Sequence, residues 1–246
     1  MRSLAENEIP KTTLADTRGS AQVARAVGIV ALLWLVSSQG YYRLVASLGL
    51  DSGYDGAPVL FTAYYLGWAA LALWLFRSLI TETLDARTVA REGLVMIPIL
   101  TVFAVFVVYG LPLLPNVSEF RAPSEPPEFM FASAWYYLPK SADILFQQVL
   151  AAALILTAAR AGYGLRGIAV GMALAFGGFH LLLAFDGFTA TYVTRFTISA
   201  ILFGALLPYL YLRVRAGYRW AYGLHWGFYA LDATLTHFIL AAPPWA

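Results

Sequence analysis

The chain has 246 residues, of which 60% are hydrophobic and 12% are charged, and its net charge is +2. Soluble domains carry about 25% charged residues, so packing in water could not bury this much apolar surface, and lipid must surround much of it. The charge offers no basic cluster for nucleic acid, and the absence of cysteine excludes disulfides, thiolate metal sites and cysteine nucleophiles. We therefore expect a single all-α membrane domain.

Seven windows are apolar over roughly 20 residues, the length that an α-helix needs to cross a bilayer. They are 23–47, 58–80, 93–115, 142–162, 166–185, 191–212 and 218–242. The first 20 residues are polar and the first window is long, so we interpret it as a retained helix rather than a signal peptide. Its polar stretch at 37–40 predicts an early end of the membrane part or a kink. The sequence thus predicts a polytopic bundle of about seven transmembrane helices.

The distribution of lysine and arginine predicts the orientation of these helices. Twelve of the 16 lie in the N-terminal tail and in the second, fourth and sixth connections, and four lie on the opposite side. Cytoplasmic connections are enriched in positive charge. We therefore expect the N-terminus inside the cell and the C-terminus outside.

The windows divide the chain into four predicted parts. These are a cytoplasmic tail at 1–22, a three-helix scaffold at 23–115, an outer loop at 116–140 and a four-helix core at 141–246. Prolines in the first half of the loop exclude a regular helix, and the aromatic residues of its second half favour a segment at the bilayer surface. An ordinary connection explains this loop, and a lid or a docking surface for a partner is the alternative.

Polar residues inside the predicted core are the candidates for function, because polar groups in hydrocarbon cost free energy unless they have a partner or a role. The fourth window carries Asp143 and the pair Gln147 and Gln148. The fifth carries His180. The seventh carries a stripe at i, i+4, i+7 spacing, which consists of His225, Tyr229 and Asp232. Interhelical hydrogen bonding explains each histidine alone, whereas two histidines beside carboxylates and amides favour a shared polar site.

The order and spacing of these positions resemble those of the CAAX-protease and bacteriocin-processing (CPBP) family of intramembrane proteases. That family has paired glutamates followed by arginine on one helix, Phe-x-x-x-His on a second and His-x-x-x-Asn on a later one. Here Phe176-x-x-x-His180 matches the second motif and His225 stands at the third. The resemblance covers about 100 residues. It implies a helical bundle in which a glutamate and a histidine activate water, while asparagine and histidine stabilise the oxyanion.

The chain departs from the family pattern at three positions. Gln147 and Gln148 replace the paired glutamates, no arginine follows at 149–153, and Tyr229 replaces the asparagine. A glutamine amide cannot take a proton from water, and the loss of a general base alone costs about 10²–10⁴ in rate. We therefore expect a divergent member with degenerate catalytic motifs that lacks proteolysis and acts by binding. It would serve as a subunit or assembly factor of a membrane complex, or bind a lipid or isoprenoid.

Two other functions remain open. Asp143 or Asp232 could replace the missing carboxylate, which would make the protein a divergent intramembrane endopeptidase for prenylated or hydrophobic peptides. Alternatively, His180 and His225 could ligate haem, a pigment or a metal ion, although the sequence requires no cofactor. By these boundaries, Gln147 and His180 would lie in the outer third of the membrane and His225 nearer the inner half, so their distances decide whether one site exists.

The expected surroundings follow from the composition. We expect a multi-pass protein of the cell membrane, specifically the bacterial inner membrane. Its partners would be the lipid bilayer and other membrane subunits, without nucleic acid.

Overall fold

The computed structural model describes residues 13–83, 86–118, 121, 132–186 and 188–241. Within these ranges the chain is helical, and its single β-type pairing is an isolated bridge between Val117 and Ala241. The α-helices are α1 (Thr13–Ser47), α2 (Gly53–Gly56), α3 (Pro58–Leu75), α4 (Arg77–Thr83), α5 (Ala86–Val105), α6 (Tyr137–Arg160), α7 (Leu165–Leu181), α8 (Ala190–Arg213) and α9 (Gly217–Ile239). The predicted all-α class is confirmed.

Each of the seven predicted windows is largely helical, although the second is divided between α3 and α4 and the third continues beyond the end of α5, and the chain forms a helical membrane bundle. Five helical stretches of the described residues are long and apolar enough to cross a bilayer: Arg18–Leu48, Pro58–Leu75, Ala90–Leu113, Ala134–Arg160 and Ala190–Arg213. Helix α7 is apolar but has only 17 residues. Helix α9 has 23 residues, and its polar side chains lower its hydropathy below that of the five. Among them, His225 and Asp232 are buried and take their partners from other helices.

The first predicted boundary differs from the structure. Helix α1 begins at Thr13, inside the predicted tail 1–22, and residues 1–12 of that tail lie outside the described part. The helix also continues without a break through 37–40. The Ser37 hydroxyl donates to the Trp34 carbonyl at 2.9 Å, and the Tyr64 hydroxyl donates to the Ser37 carbonyl at 2.7 Å. The first hydrogen bond stays within α1 and the second joins α1 to α3, and the helix does not end here.

The third span changes its helical pitch near its end. Helix α5 contains Pro98 and passes into a π-helical segment, Phe106–Gly110, and then into a 3₁₀ turn, Leu111–Leu113. Only 6% of this span is buried within the chain, against 61% of the span that contains α6. Helix α5 thus lies at the edge of the bundle and α6 at its centre.

The second half of the predicted outer loop is partly core. Residues 119–120 and 122–131 lie outside the described part, and so do most of the loop's prolines and acidic residues. Where the description resumes, Trp135 is exposed as expected for a surface segment, but Tyr136 and Tyr137 are each only 3% exposed. They pack against the bundle because α6 begins at Tyr137, four residues before the predicted core.

Helix α6 contacts helices of both the predicted scaffold and the predicted core, and α7 packs along α8. One hydrophobic cluster includes Phe61 and Tyr65 of α3 together with Phe146 of α6 and Trp226 of α9. The division at 115 and 141 stays a prediction, since one continuous core spans it. The centre of this core holds α6, which carries three of the seven candidate polar residues, Asp143, Gln147 and Gln148.

Candidate functional site

A hydrogen bond joins α6 and α9 inside the bundle. The amide Nε2 of Gln148 donates to Nδ1 of His225 at 3.0 Å, and both side chains are buried. The Tyr211 hydroxyl of α8 lies 2.7 Å from Oε1 of Gln148 and 3.1 Å from its backbone carbonyl. Because an amide nitrogen only donates, Nδ1 of His225 accepts and its Nε2 carries the proton. Both ends of the Gln148 amide are therefore engaged within the protein.

A buried ion pair lies on the same helix, two turns before Gln148. The Lys140 ammonium is 2.9 Å from Oδ2 of Asp143, and the amide of Gln147 donates to Oδ1 of Asp143 at 2.9 Å. Lys140 is 8% exposed and Asp143 7%. Each oxygen of the carboxylate thus accepts a hydrogen bond, one of them from a cation. Such pairing is what makes a buried carboxylate tolerable in an apolar interior.

Aromatic rings surround the Lys140 ammonium. It lies 4.2 Å from the ring centre of Tyr229 and 5.6 Å from that of Tyr54, both within range for cation–π attraction. The Tyr229 ring in turn stacks on the imidazole of His225, with centroids 5.8 Å apart. Burial raises the pKa of Tyr54 well above its ordinary value, with a further contribution from the Asp143 charge, so its hydroxyl stays neutral. Tyr229 therefore connects the ion pair to the Gln148–His225 pair.

His180 lies near this network at the end of α7. Its Nδ1 lies 2.8 Å from the backbone carbonyl of Phe176, and its ring stacks on Phe196 at 6.5 Å. A carbonyl only accepts, so Nδ1 carries the proton and Nε2 keeps its lone pair. The charge of Lys140 acts on both His180 and His225. The two histidines thus belong to one electrostatic neighbourhood and have opposite tautomers.

Asp232 has a separate partner. Its Oδ1 and Oδ2 lie 3.0 Å and 3.2 Å from Nη2 of Arg195 on α8. The Asp232 side chain is 5% exposed and that of Arg195 is 42% exposed. Although Asp232 shares a helical stripe with His225, its charge is neutralised by a cation from the neighbouring helix.

The structure therefore brings most of the predicted positions into one network. Gln148 is hydrogen-bonded to His225, and the His225 imidazole stacks on Tyr229. The Tyr229 ring contacts Lys140, which is paired with Asp143, and Asp143 accepts a hydrogen bond from Gln147. The hydrogen bond between Gln148 and His225 places these two side chains at the same depth, in contrast to the depth difference that the window boundaries predict. Two carboxylates predicted as substitute bases are instead ion-paired.

The sequence does not predict the contacts of three residues in the network. Lys140 falls at the end of the predicted outer loop, Arg195 is one of the four charges on the predicted outer side, and Tyr211 lies within the sixth apolar window. The i, i+3 spacing of Lys140 and Asp143 is the one signal that could have placed the lysine on α6. Nothing local in the sequence pairs Arg195 with Asp232 or Tyr211 with Gln148, because both contacts join different helices.

The arrangement of the histidine and carboxylate side chains limits how the protein could bind a metal ion or haem. Among the described residues, no group of three or more histidine, aspartate or glutamate side chains lies close enough to hold a metal ion. The Nδ1 of His225 is engaged by Gln148 and its Nε2 carries a proton. Of these two histidines, only His180 therefore presents an imidazole lone pair at Nε2, so joint ligation by both would require a change of tautomer at His225.

Comparison of the chain with protein-family models, with curated proteins and with solved structures gives no match.

Proposed function

We propose that the chain is a CPBP-like integral membrane protein without peptidase activity that acts by binding. It serves as a subunit or assembly factor of a membrane complex, or binds a lipid or isoprenoid. The proposal rests on the hydrogen-bond and ion-pair partners of the polar side chains. Both ends of the Gln148 amide are hydrogen-bonded, and Asp143 and Asp232 are each held by a cation.

Peptide hydrolysis needs a group that takes a proton from water, and this arrangement lacks a carboxylate poised to do so. Both oxygens of Asp143 are occupied by Lys140 and Gln147, and Asp232 is paired with Arg195, so each carboxylate is already engaged within the protein. Tyr229, at the position of the family's asparagine, contacts the Lys140 ammonium through its ring. Gln148 and His225, at two other motif positions, are hydrogen-bonded to each other between α6 and α9.

The resemblance itself gains support from proximity. The three motif positions stand on α6, α7 and α9, separated in sequence by 32 and 45 residues. Gln148 and His225 are nevertheless hydrogen-bonded, so two of the three positions meet. Such convergence of separate motifs is expected of a site that once shared one reaction.

A cleavage assay tests this proposal. The purified full-length protein would be incubated with prenylated and hydrophobic peptides, alongside its His180→Ala variant. We expect no cleavage above the level seen without protein, and no difference between the two proteins. Cleavage by the wild type that His180→Ala abolishes would overturn the proposal.

The same experiment measures the second candidate, a divergent intramembrane endopeptidase. The observation in its favour is the lone pair on Nε2 of His180, which is the form that a general base requires. If this candidate is right, Asp143→Asn or Asp232→Asn would also abolish cleavage, because one of them must supply the carboxylate.

We also infer that the protein lies in the bacterial inner membrane with its N-terminus in the cytoplasm. The support is the excess of arginine and lysine in alternate connections. Reporter fusions after Val214 and after Phe188 would give opposite cytoplasmic and outer signals, and the same signal from both would contradict this orientation.

A further inference from the structure

An apolar groove lies between α5 and the start of α6, beside α9. It has a volume of about 400 Å³. Its walls include Leu100, Phe103, Ala104, Val107, Tyr137 and Trp226. This space is separate from the Gln148–His225 contact, although Trp226 directly follows His225 in α9.

Contacts between aromatic rings hold the residues of the groove in place. Phe103 stacks on Trp226 with centroids 3.9 Å apart and an interplanar angle of 10°. The ring centroids of Trp226 and Tyr137 are 5.3 Å apart, and the Trp226 Nε1 donates to the Ser141 hydroxyl at 2.9 Å. The floor of the groove is therefore held by ring contacts and a hydrogen bond between α6 and α9. The outer wall belongs to the π-helical end of α5, a distortion that is frequent at functional sites.

The surroundings of the groove determine the class of its occupant. Its walls belong to two of the spans that are long and apolar enough to cross a bilayer, Ala90–Leu113 and Ala134–Arg160. On α5 the side chains of Leu100 and Val108 are 45% and 56% exposed. At membrane depth the medium that meets these side chains is hydrocarbon, not water. A hydrocarbon chain is the ligand that this medium supplies.

The volume of the groove suits a small occupant. Ligand pockets for small molecules span about 300–1,000 Å³, and the groove lies within that range. The groove therefore accommodates a single extended hydrocarbon chain.

We propose that the groove between α5, α6 and α9 holds one acyl chain of a membrane phospholipid. The bound chain completes the packing between α5 and the rest of the bundle, which the protein alone leaves open. This site does not depend on the absence of peptidase activity.

Native mass spectrometry of the detergent-purified full-length protein tests the proposal. The probe is 1-palmitoyl-2-oleoyl phosphatidylethanolamine, added after delipidation. Ala104→Phe fills the groove, and Val102→Phe is its matched control, because Val102 lies on α5, is 64% exposed and does not line the groove. We expect one lipid per chain for the wild type and for Val102→Phe, and at least a fivefold loss of the lipid-bound fraction for Ala104→Phe.

Equal lipid retention by Ala104→Phe and the wild type would overturn the proposal, as would a wild type that retains no lipid. A mass of two chains that Ala104→Phe abolishes would also overturn it, because a second copy would then occupy the groove. A melting temperature of Ala104→Phe close to that of Val102→Phe shows that the fold is intact.

Discussion

The Nε2 of Gln148 donates to Nδ1 of His225 at 3.0 Å, and this contact joins the central helix α6 to α9 in the buried interior. The pair connects two positions that lie 77 residues apart in sequence. Through Tyr229 and Lys140 it continues to Asp143, so that a chain of polar contacts lies across an otherwise apolar bundle. The cost of exposing these groups to hydrocarbon makes the contacts specific, and each can be tested by removing one partner at a time.

Gln148→Leu removes the partner of His225 and of the Tyr211 hydroxyl. We expect this change to destabilise the protein, since each buried polar group left unpaired costs about 1–3 kcal/mol. Thermal unfolding of detergent-purified protein measures the effect. In a double-mutant cycle with His225→Leu, the two changes should differ from additivity by about 0.5–3 kcal/mol. Strict additivity would show that the contact contributes nothing.

Lys140→Met keeps the length of the side chain and removes its charge. Breaking a buried ion pair from one side costs about 3–5 kcal/mol, because the remaining charge has no partner. We therefore expect a large fall in melting temperature for Lys140→Met. The double variant Lys140→Met/Asp143→Asn should recover part of the loss, since no lone charge remains. A double variant less stable than Lys140→Met would contradict this account.

The pair of Arg195 and Asp232 should respond asymmetrically. Arg195→Gln leaves the buried Asp232 carboxylate without its cation, whereas Asp232→Asn leaves a guanidinium that is 42% exposed. An exposed cation keeps part of its solvation, but a buried anion does not. Arg195→Gln should therefore lower the melting temperature more than Asp232→Asn. The reverse order would place the anion in a more solvated environment than its 5% exposure indicates.

Gly204 of α8 provides a test of helix packing. A Cβ built at this position would lie 2.6 Å from the carbonyl oxygen of Met172 on α7, so Gly204→Ala must push the two backbones apart. Overpacking of this kind costs about 1–3 kcal/mol. The control is Gly178→Ala, because a Cβ at Gly178 meets nothing within 4 Å. Unfolding temperatures should fall for the first variant and stay level or rise for the second.

The two adjacent glycines of α7 show the limit of sequence interpretation at the level of single residues. Small residues at 177 and 178 favour a close approach of another helix. In the structure Gly177 faces the Ile201 side chain of α8, whereas Gly178 faces open space. Sequence identifies the potential for contact, but only the rotation of α7 against α8 determines which glycine uses it.

The candidate site shows the same limit at the level of contacts. The residue types and their order along α6, α7 and α9 could be predicted, and so could the helix on which each lies. The sequence does not predict that Gln148 rather than Gln147 pairs with His225. The two glutamines point about 100° apart around one helix, and the sequence does not determine which of these directions faces α9. The neutralisation of Asp232 by Arg195 depends on the position of α8, which no local pattern encodes.

The amino-acid sequence by itself determined that this is an all-α membrane protein with helices at seven predicted windows. Hydropathy and helix length act locally, so every window can be recognised without knowledge of its neighbours. Only the tertiary structure decided which polar residues meet, that α5 lies at the edge beside an apolar groove, and that Lys140 belongs to the interior. These features depend on the relative rotation and tilt of helices, which side-chain packing and the pairing of buried charges determine together.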